Sequence, residues 1–98
     1  MKVHLIGIGG TGMCSLAGLF VEAGHEVRGS DGSLFPPMSE QVARLGVPVF
    51  EGFDPSNLDW GPDLVVIGNI ASARHPEARA ALERGLAYRS MPQALAEH

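Results

Sequence analysis

Apolar residues recur along the chain in two rhythms. Short runs that are apolar nearly throughout, Lys2 to Ile8 and Asp63 to Gly68, alternate with segments whose apolar positions return every three or four residues. The unbroken runs read as central parallel strands covered on both faces. After the first of them, Met13, Leu16, Ala17 and Phe20 predict a helix over Thr11 to Ala23, with Thr11 as its cap and Gly24 as its left-handed stop. A second strand is expected over Glu26 to Gly29. Phe35-Pro36-Pro37 leads into a second helix that carries Met38, Val42 and Leu45 on one face and stops at Gly46. Val47 to Phe50 form a short third strand. Asp54-Pro55-Ser56-Asn57-Leu58 then reads as an N-cap, a proline at the first helical position and a single helical turn, and Trp60-Gly61-Pro62 ends that crossover. Beyond the fourth strand, Asn69 to Ala73 form a loop. Pro76 opens a helix through Arg84 with Ala78, Ala81 and Leu82 facing inward, Gly85 ends it, Leu86 to Arg89 form a fifth strand, and Ser90 to Glu97 begin another helix.

Strands and helices alternating in this way predict an α/β fold: a Rossmann-like, doubly wound, five-stranded parallel sheet filling one domain, residues 1–98. Right-handed crossovers with one reversal of direction give the strand order 3-2-1-4-5, with the switch point between the first and fourth strands. Ligands of such sheets bind outside the carboxyl ends of the strands at that point. The loops that meet there are Gly7 to Met13, Ser30 to Ser33 and Gly68 to Ser72.

Composition narrows the partners. A length of 98 residues suits one domain with a single core, and 45% hydrophobic with 18% charged residues describes a globular chain. A formal charge of −4 without a cluster of Lys and Arg argues against nucleic acid as a partner. The single cysteine, Cys14, excludes an internal disulfide or a multi-thiolate metal site and reads as a packing residue. Met1-Lys2 leads straight into a strand without a leader pattern, and no apolar run approaches the roughly 20 residues of a membrane span. A soluble, cytoplasmic protein with no membrane partner is expected.

Candidate chemistry gathers at the first loop. Gly7, Gly9 and Gly12 satisfy G-x-G-x-x-G between a strand and a helix, the context in which the motif has physical meaning. There Gly7 permits a tight turn, Gly9 lets the backbone approach a ligand, Gly12 lets helix and strand pack closely, and the helix start turns its N–H groups toward an anion. Asp31 follows at the carboxyl end of the second strand, where a carboxylate meets the vicinal hydroxyls of a ribose; the plainer reading is that it starts a turn with Gly32-Ser33. Arg74 and His75 stand close enough in sequence to touch a charged group, although residues before a helix are usually solvated. His4, alone in an apolar strand, reads as a core or strand-end residue. No catalytic constellation, metal-ligand spacing or G-x-x-x-x-G-K-[ST] loop is present. The residues therefore describe a module that holds a nucleotide-like ligand while bond making happens elsewhere, and on physical grounds alone NAD, in a dehydrogenase or regulatory subunit, fits the fingerprint equally well.

Gly7-Ile8-Gly9-Gly10-Thr11-Gly12-Met13 and Gly29-Ser30-Asp31 resemble the N-terminal domain of the Mur ligases acting on UDP-N-acetylmuramate, over essentially the whole chain. The doubled glycine, the methionine after the last one and the serine before Asp31 belong to that pattern and are incidental to an NAD site. Within the family, Pro36-Pro37-Met38-Ser39, Gly52-Phe53-Asp54, Val66-Ile67-Gly68-Asn69 and Arg74-His75-Pro76-Glu77 look most like the murein peptide ligases, which recycle peptidoglycan by joining a tripeptide to UDP-N-acetylmuramate. UDP-N-acetylmuramate:L-alanine ligases are the next most similar, but they usually carry S-S-A-I where this chain has Gly68-Asn69-Ile70-Ala71. Cys14 stands where the family often has Ser or Gly. The resemblance implies ATP- and Mg²⁺-dependent ligation through an acyl phosphate in a longer enzyme, with a central ATP-binding domain and a C-terminal domain in cis and no cofactor or catalytic residue in this stretch. It also implies that Gly7 and the amides of Gly9, Gly10, Thr11, Gly12 and Met13 meet the UDP diphosphate. Ser30 and Asp31 would sit near ribose or uracil, and Asn69, Ile70, Ala71 and Ser72 would close the other side.

Overall fold

The computed structural model describes residues 1–9, 11–32, 38–68 and 76–97, with backbone only at Thr11 and Met38. Its strands are β1 (Lys2–Ile6), β2 (Glu26–Asp31), β3 (Val49–Glu51), β4 (Leu64–Ile67) and β5 (Tyr88–Ser90). Its helices are α1 (Thr11–Glu22), α2 (Met38–Leu45), α3 (Pro76–Glu83) and α4 (Met91–Glu97), with a 3₁₀ turn over Pro55–Leu58. All pairings are parallel in the order β3-β2-β1-β4-β5, the predicted Rossmann-like arrangement.

Alternation along the central strands sorts the core into two layers. Val3 and Leu5 of β1 and Leu64 and Val66 of β4 face Met13, Leu16, Ala17 and Phe20 of α1, Val42 of α2 and Ala94 of α4. Ile6 and Val65 face the opposite way, onto Leu58 and onto Ala78, Ala80 and Ala81 of α3. Helices thus cover both faces, which explains why β1 and β4 are apolar almost throughout.

Element ends differ from expectation by one to three residues, each for a local reason. β1 stops at Ile6 because Gly7, at φ 82°, turns the chain out of the sheet. β2 runs on to Asp31, which pairs with Glu51. β3 begins at Val49 and β5 at Tyr88, later than the apolar residues alone suggested. Ser90 closes β5 and caps α4: its hydroxyl accepts from the Gln93 amide (3.3 Å) while the Gln93 side chain accepts from the Ser90 amide (2.9 Å), a reciprocal capping box. In α3 Ala78 and Ala81 face inward as expected, but they do so with Glu77 and Ala80, while Leu82 turns outward and lies 42% exposed. The cap before the 3₁₀ turn is as expected, with the Asp54 carboxylate accepting from the Ser56 amide at 2.8 Å.

Candidate functional site

The carboxyl ends of β1, β2 and β4 come together as the switch point requires. Gly68, just past β4, donates its amide to the Ile6 carbonyl at 3.1 Å, and a Cβ at 68 would lie 3.0 Å from that same oxygen. A side chain at 68 would press on that backbone oxygen, so glycine suits this close approach. Asn69, Ile70, Ala71 and Ser72, like Gly10, Arg74 and His75, lie outside the described residues.

The glycine loop is held from the side of β2. The Ser30 carbonyl accepts two consecutive amides, Gly7 at 2.8 Å and Ile8 at 3.1 Å. One oxygen of the half-buried Asp31 carboxylate accepts the next amide, Gly9, at 2.8 Å. Asp31 therefore stands beside the loop as expected and is partly occupied by it, while its remaining lone pairs can accept from a ligand. The Gly9 amide is directed to Asp31. The N–H groups at the start of α1, Thr11 to Met13, lack intrahelical partners and are available to an anion.

Other predicted residues contribute through the backbone. Met13 is buried in the core, its Cγ 3.7 Å from where a Gly68 Cβ would stand. Gly12 owes its small size to a contact not foreseen: a Cβ there would lie 2.6 Å from the sulfur of Met91, so Gly12 seats α4 against the first turn of α1 and not the helix against a strand. Ser30 turns its hydroxyl down to the face opposite α1, where it is fully buried.

Beneath the loop lies a polar cluster that the sequence did not reveal. His4, Ser30 and Glu77 are each completely buried, with Asn57 nearly so. One oxygen of Glu77 accepts from the Ser30 hydroxyl and from Nε2 of His4, the latter at 3.1 Å. The other accepts from the side-chain amide of Asn57 and from the Asp54 main-chain N–H at 3.3 Å. The Trp60 indole N–H, which can only donate, points to Nδ1 of His4 at 3.0 Å, so Nδ1 accepts and Nε2 donates to Glu77. Phe50 stacks near His4 with ring centroids 6.0 Å apart, and the Arg28 guanidinium covers Trp60 at 4.6 Å. Burial pushes the Glu77 carboxyl upward, and the hydrogen bonds from His4, Ser30 and Asn57 outweigh it, holding the pKa below its ordinary value. A single His inside an apolar strand was the available sign of such a cluster, because a buried imidazole needs polar partners.

Among the described residues no group of three or more His, Cys, Asp or Glu side chains is placed to hold a metal ion, and no helix is long and apolar enough to cross a membrane. What the arrangement offers is a helix start, a glycine loop and a carboxylate at one sheet end. That combination suits an anionic ligand bearing hydroxyl groups.

Comparison with known proteins places these features in a family. The family described as "Mur ligase family, catalytic domain" matches residues 2–98. The chain is 44% identical over 93 residues to the UDP-N-acetylmuramate–L-alanyl-gamma-D-glutamyl-meso-2,6-diaminoheptandioate ligase of Escherichia coli K12, covering 95% of this chain and 20% of that enzyme. It is 36% identical over 96 residues to the UDP-N-acetylmuramate–L-alanine ligase of Oleidesulfovibrio alaskensis, covering 98% of this chain and 21% of the relative. Among solved structures, the murein peptide ligase of Psychrobacter arcticus superposes with a TM-score of 0.94 at 44% identity, over all of this chain and 20% of that one. The chain thus spans about a fifth of the length of the curated relatives it matches.

Proposed function

This chain belongs to the Mur ligase family, and from that premise we propose that it binds the uridine diphosphate part of UDP-N-acetylmuramate as the N-terminal domain, residues 1–98, of a longer cytoplasmic peptidoglycan-recycling ligase. The observation that carries the reading is the glycine turn after β1, whose Gly7 and Ile8 amides are accepted by the Ser30 carbonyl and whose Gly9 amide is accepted by Asp31. The diphosphate lies over the first turn of α1, where the helix dipole is worth about 0.3–2 kcal/mol and the N–H groups of Thr11, Gly12 and Met13 add hydrogen bonds to it. Gly7, Gly9 and Gly10 keep the loop free of side chains. Asp31 offers its unused lone pairs to the nucleoside, Ser30 serves through its backbone, and Asn69, Ile70, Ala71 and Ser72 are assigned to the ligand on the family resemblance alone.

In this reading the whole enzyme couples ATP and Mg²⁺ to amide formation, with the muramyl carboxylate activated as an acyl phosphate for attack by the amine of a peptide. The sequence has no ATP-phosphate loop, and neither cofactor is assigned to the residues of this chain. Its part is to bind and orient, and the chemistry belongs to a central and a C-terminal domain in cis. The 98-residue chain alone is accordingly expected to turn over nothing, and ATP-dependent ligation by it would contradict the assignment.

The direct test is titration of UDP, UDP-N-acetylmuramate and NAD into the ¹⁵N-labelled chain. The amides of Gly9, Gly10, Thr11 and Asp31 are expected to move with both uridine nucleotides. Movement with NAD alone would replace this reading by that of a dinucleotide-binding domain.

A further inference from the structure

Glu77 takes no part in the function proposed above, yet its carboxylate is completely buried and fully supplied with donors. It enters the core from the first turn of α3, at the far end of the chain from the glycine loop. Ser30 is the link between them. Its hydroxyl donates to Glu77, and its carbonyl accepts the Gly7 and Ile8 amides at 2.8 and 3.1 Å. On this side the loop is otherwise fixed by the Asp31 carboxylate, which accepts the Gly9 amide at 2.8 Å. Gly7 and Gly9 have no side chains, and Ile8 turns into the opposite core layer. Gly29 and Gly32 flank the end of β2, and Ser30 pairs with Ile6 of β1 and Phe50 of β3, so its carbonyl is set jointly by the ladder and by what holds its side chain. A hydrophobic residue of similar volume fills such a space at lower cost in desolvation than a carboxylate does.

We propose that Glu77 is a positioning residue for the diphosphate loop, acting through Ser30: the buried carboxylate sets the Ser30 carbonyl, and that carbonyl sets the Gly7 and Ile8 amides in the conformation that presents the start of α1 to the ligand. This rests on the assignment of the loop as the uridine diphosphate site. Asn57 of the 3₁₀ turn, its cap residue Asp54, and His4 of β1 anchor the carboxylate, so α3, the 3₁₀ turn and β1 together align the loop from beneath.

The test compares Glu77→Gln, Ser30→Ala and Leu58→Ala with the unaltered chain. Glu77→Gln keeps the shape but points an amide N–H₂ at groups that are themselves donors. It is expected to remain folded, to shift the Gly7 and Ile8 amide resonances in the ligand-free protein, and to weaken UDP binding about tenfold. Ser30→Ala is expected to lose UDP affinity to a similar degree, and the double variant to lose no more than either single one. Leu58→Ala, in the same core layer without a bond to the loop, should lower the melting temperature and leave UDP affinity unchanged. Folded Glu77→Gln with unaltered Gly7 and Ile8 resonances overturns the proposal, as does an affinity loss that Leu58→Ala reproduces. Should Glu77→Gln not fold, Ser30→Ala decides, with undiminished UDP affinity counting against the proposal. If the unaltered chain does not respond to UDP, the site assignment fails, and the ligand-free resonances still judge the link from Glu77 to the loop.

Discussion

Replacing Gly29 by alanine tests the packing of β2 against the glycine loop. A Cβ at 29 would lie 2.7 Å from Cδ1, 2.8 Å from Cβ and 3.0 Å from Cγ2 of Ile8. Carbon atoms rest about 3.5–4.0 Å apart, so Ile8 must retreat by something near 1 Å. It has no easy retreat: the side chain is fully buried, its Cβ is fixed to the backbone, and its amide is held by Ser30. Overpacking of this kind costs about 1–3 kcal/mol, and alanine returns about 0.4–1 kcal/mol by narrowing the unfolded ensemble. The net destabilisation is about 1–2 kcal/mol, which in a domain of this size lowers the melting temperature by roughly 4–16 °C. Gly12→Ala is the internal control. Its Cβ would meet the sulfur of Met91 at 2.6 Å and Cε at 3.1 Å, the far end of a flexible side chain, while helix propensity favours alanine by about 1 kcal/mol. Thermal melts of both variants by circular dichroism should place Gly12→Ala near the unaltered chain and Gly29→Ala well below it. A Gly29→Ala protein melting at or above the unaltered chain, or below it by less than Gly12→Ala, would refute the steric argument.

Three further outcomes follow from the buried groups. The Glu77 carboxyl is depressed in the folded state, so its stabilisation is complete above the unfolded value of about 4.3 and is lost as pH falls through the folded one; urea melts between pH 5 and pH 2.5 should show a steeper loss for the unaltered chain than for Glu77→Gln. Asp54, also depressed by its bonds to Ser56, adds to that acid loss in both proteins. Trp60→Phe removes the indole donor to His4 and keeps an aromatic ring; a loss of about 1 kcal/mol in urea melts is expected, while ¹⁵N spectra of the unaltered chain should show His4 protonated on Nε2 alone. Burial raises the Cys14 thiol pKa and shields the sulfur, so alkylation by iodoacetamide should be slow in the native protein and rapid in denaturant.

The sheet order could be read from the sequence because each strand and helix announces itself through local periodicity, and the handedness of crossovers leaves few ways to arrange five of them. The loop was legible for a similar reason, since Gly7, Gly9, Gly12 and Asp31 carry their chemistry within one βαβ unit. Three features were not. Met91 against Gly12 joins opposite ends of the chain, and a glycine does not name the residue that fills the space it leaves. Ser30 sits beside Asp31 in sequence, yet strand alternation sends its side chain to the other face. An acidic residue in a first helical turn, as Glu77 is, is ordinary in sequence; its burial depends on which face α3 turns inward and on His4, 73 residues away.

The same cluster bears on the order in which the chain folds. Early local pairing of β1, α1 and β2 can bury the Val3, Leu5, Leu16 and Phe20 layer, but it leaves the His4 ring and the Ser30 hydroxyl without the carboxylate that satisfies them. Closing the second face before α3 arrives would strand those groups at about 1–3 kcal/mol each. Docking of α3 is therefore expected late on the folding route, with substitutions at Ala78 and Ala81 accelerating unfolding more than they slow refolding. A nascent chain lacking α3 keeps one side of its central strand wet, which disfavours compact forms with that face closed in the wrong way.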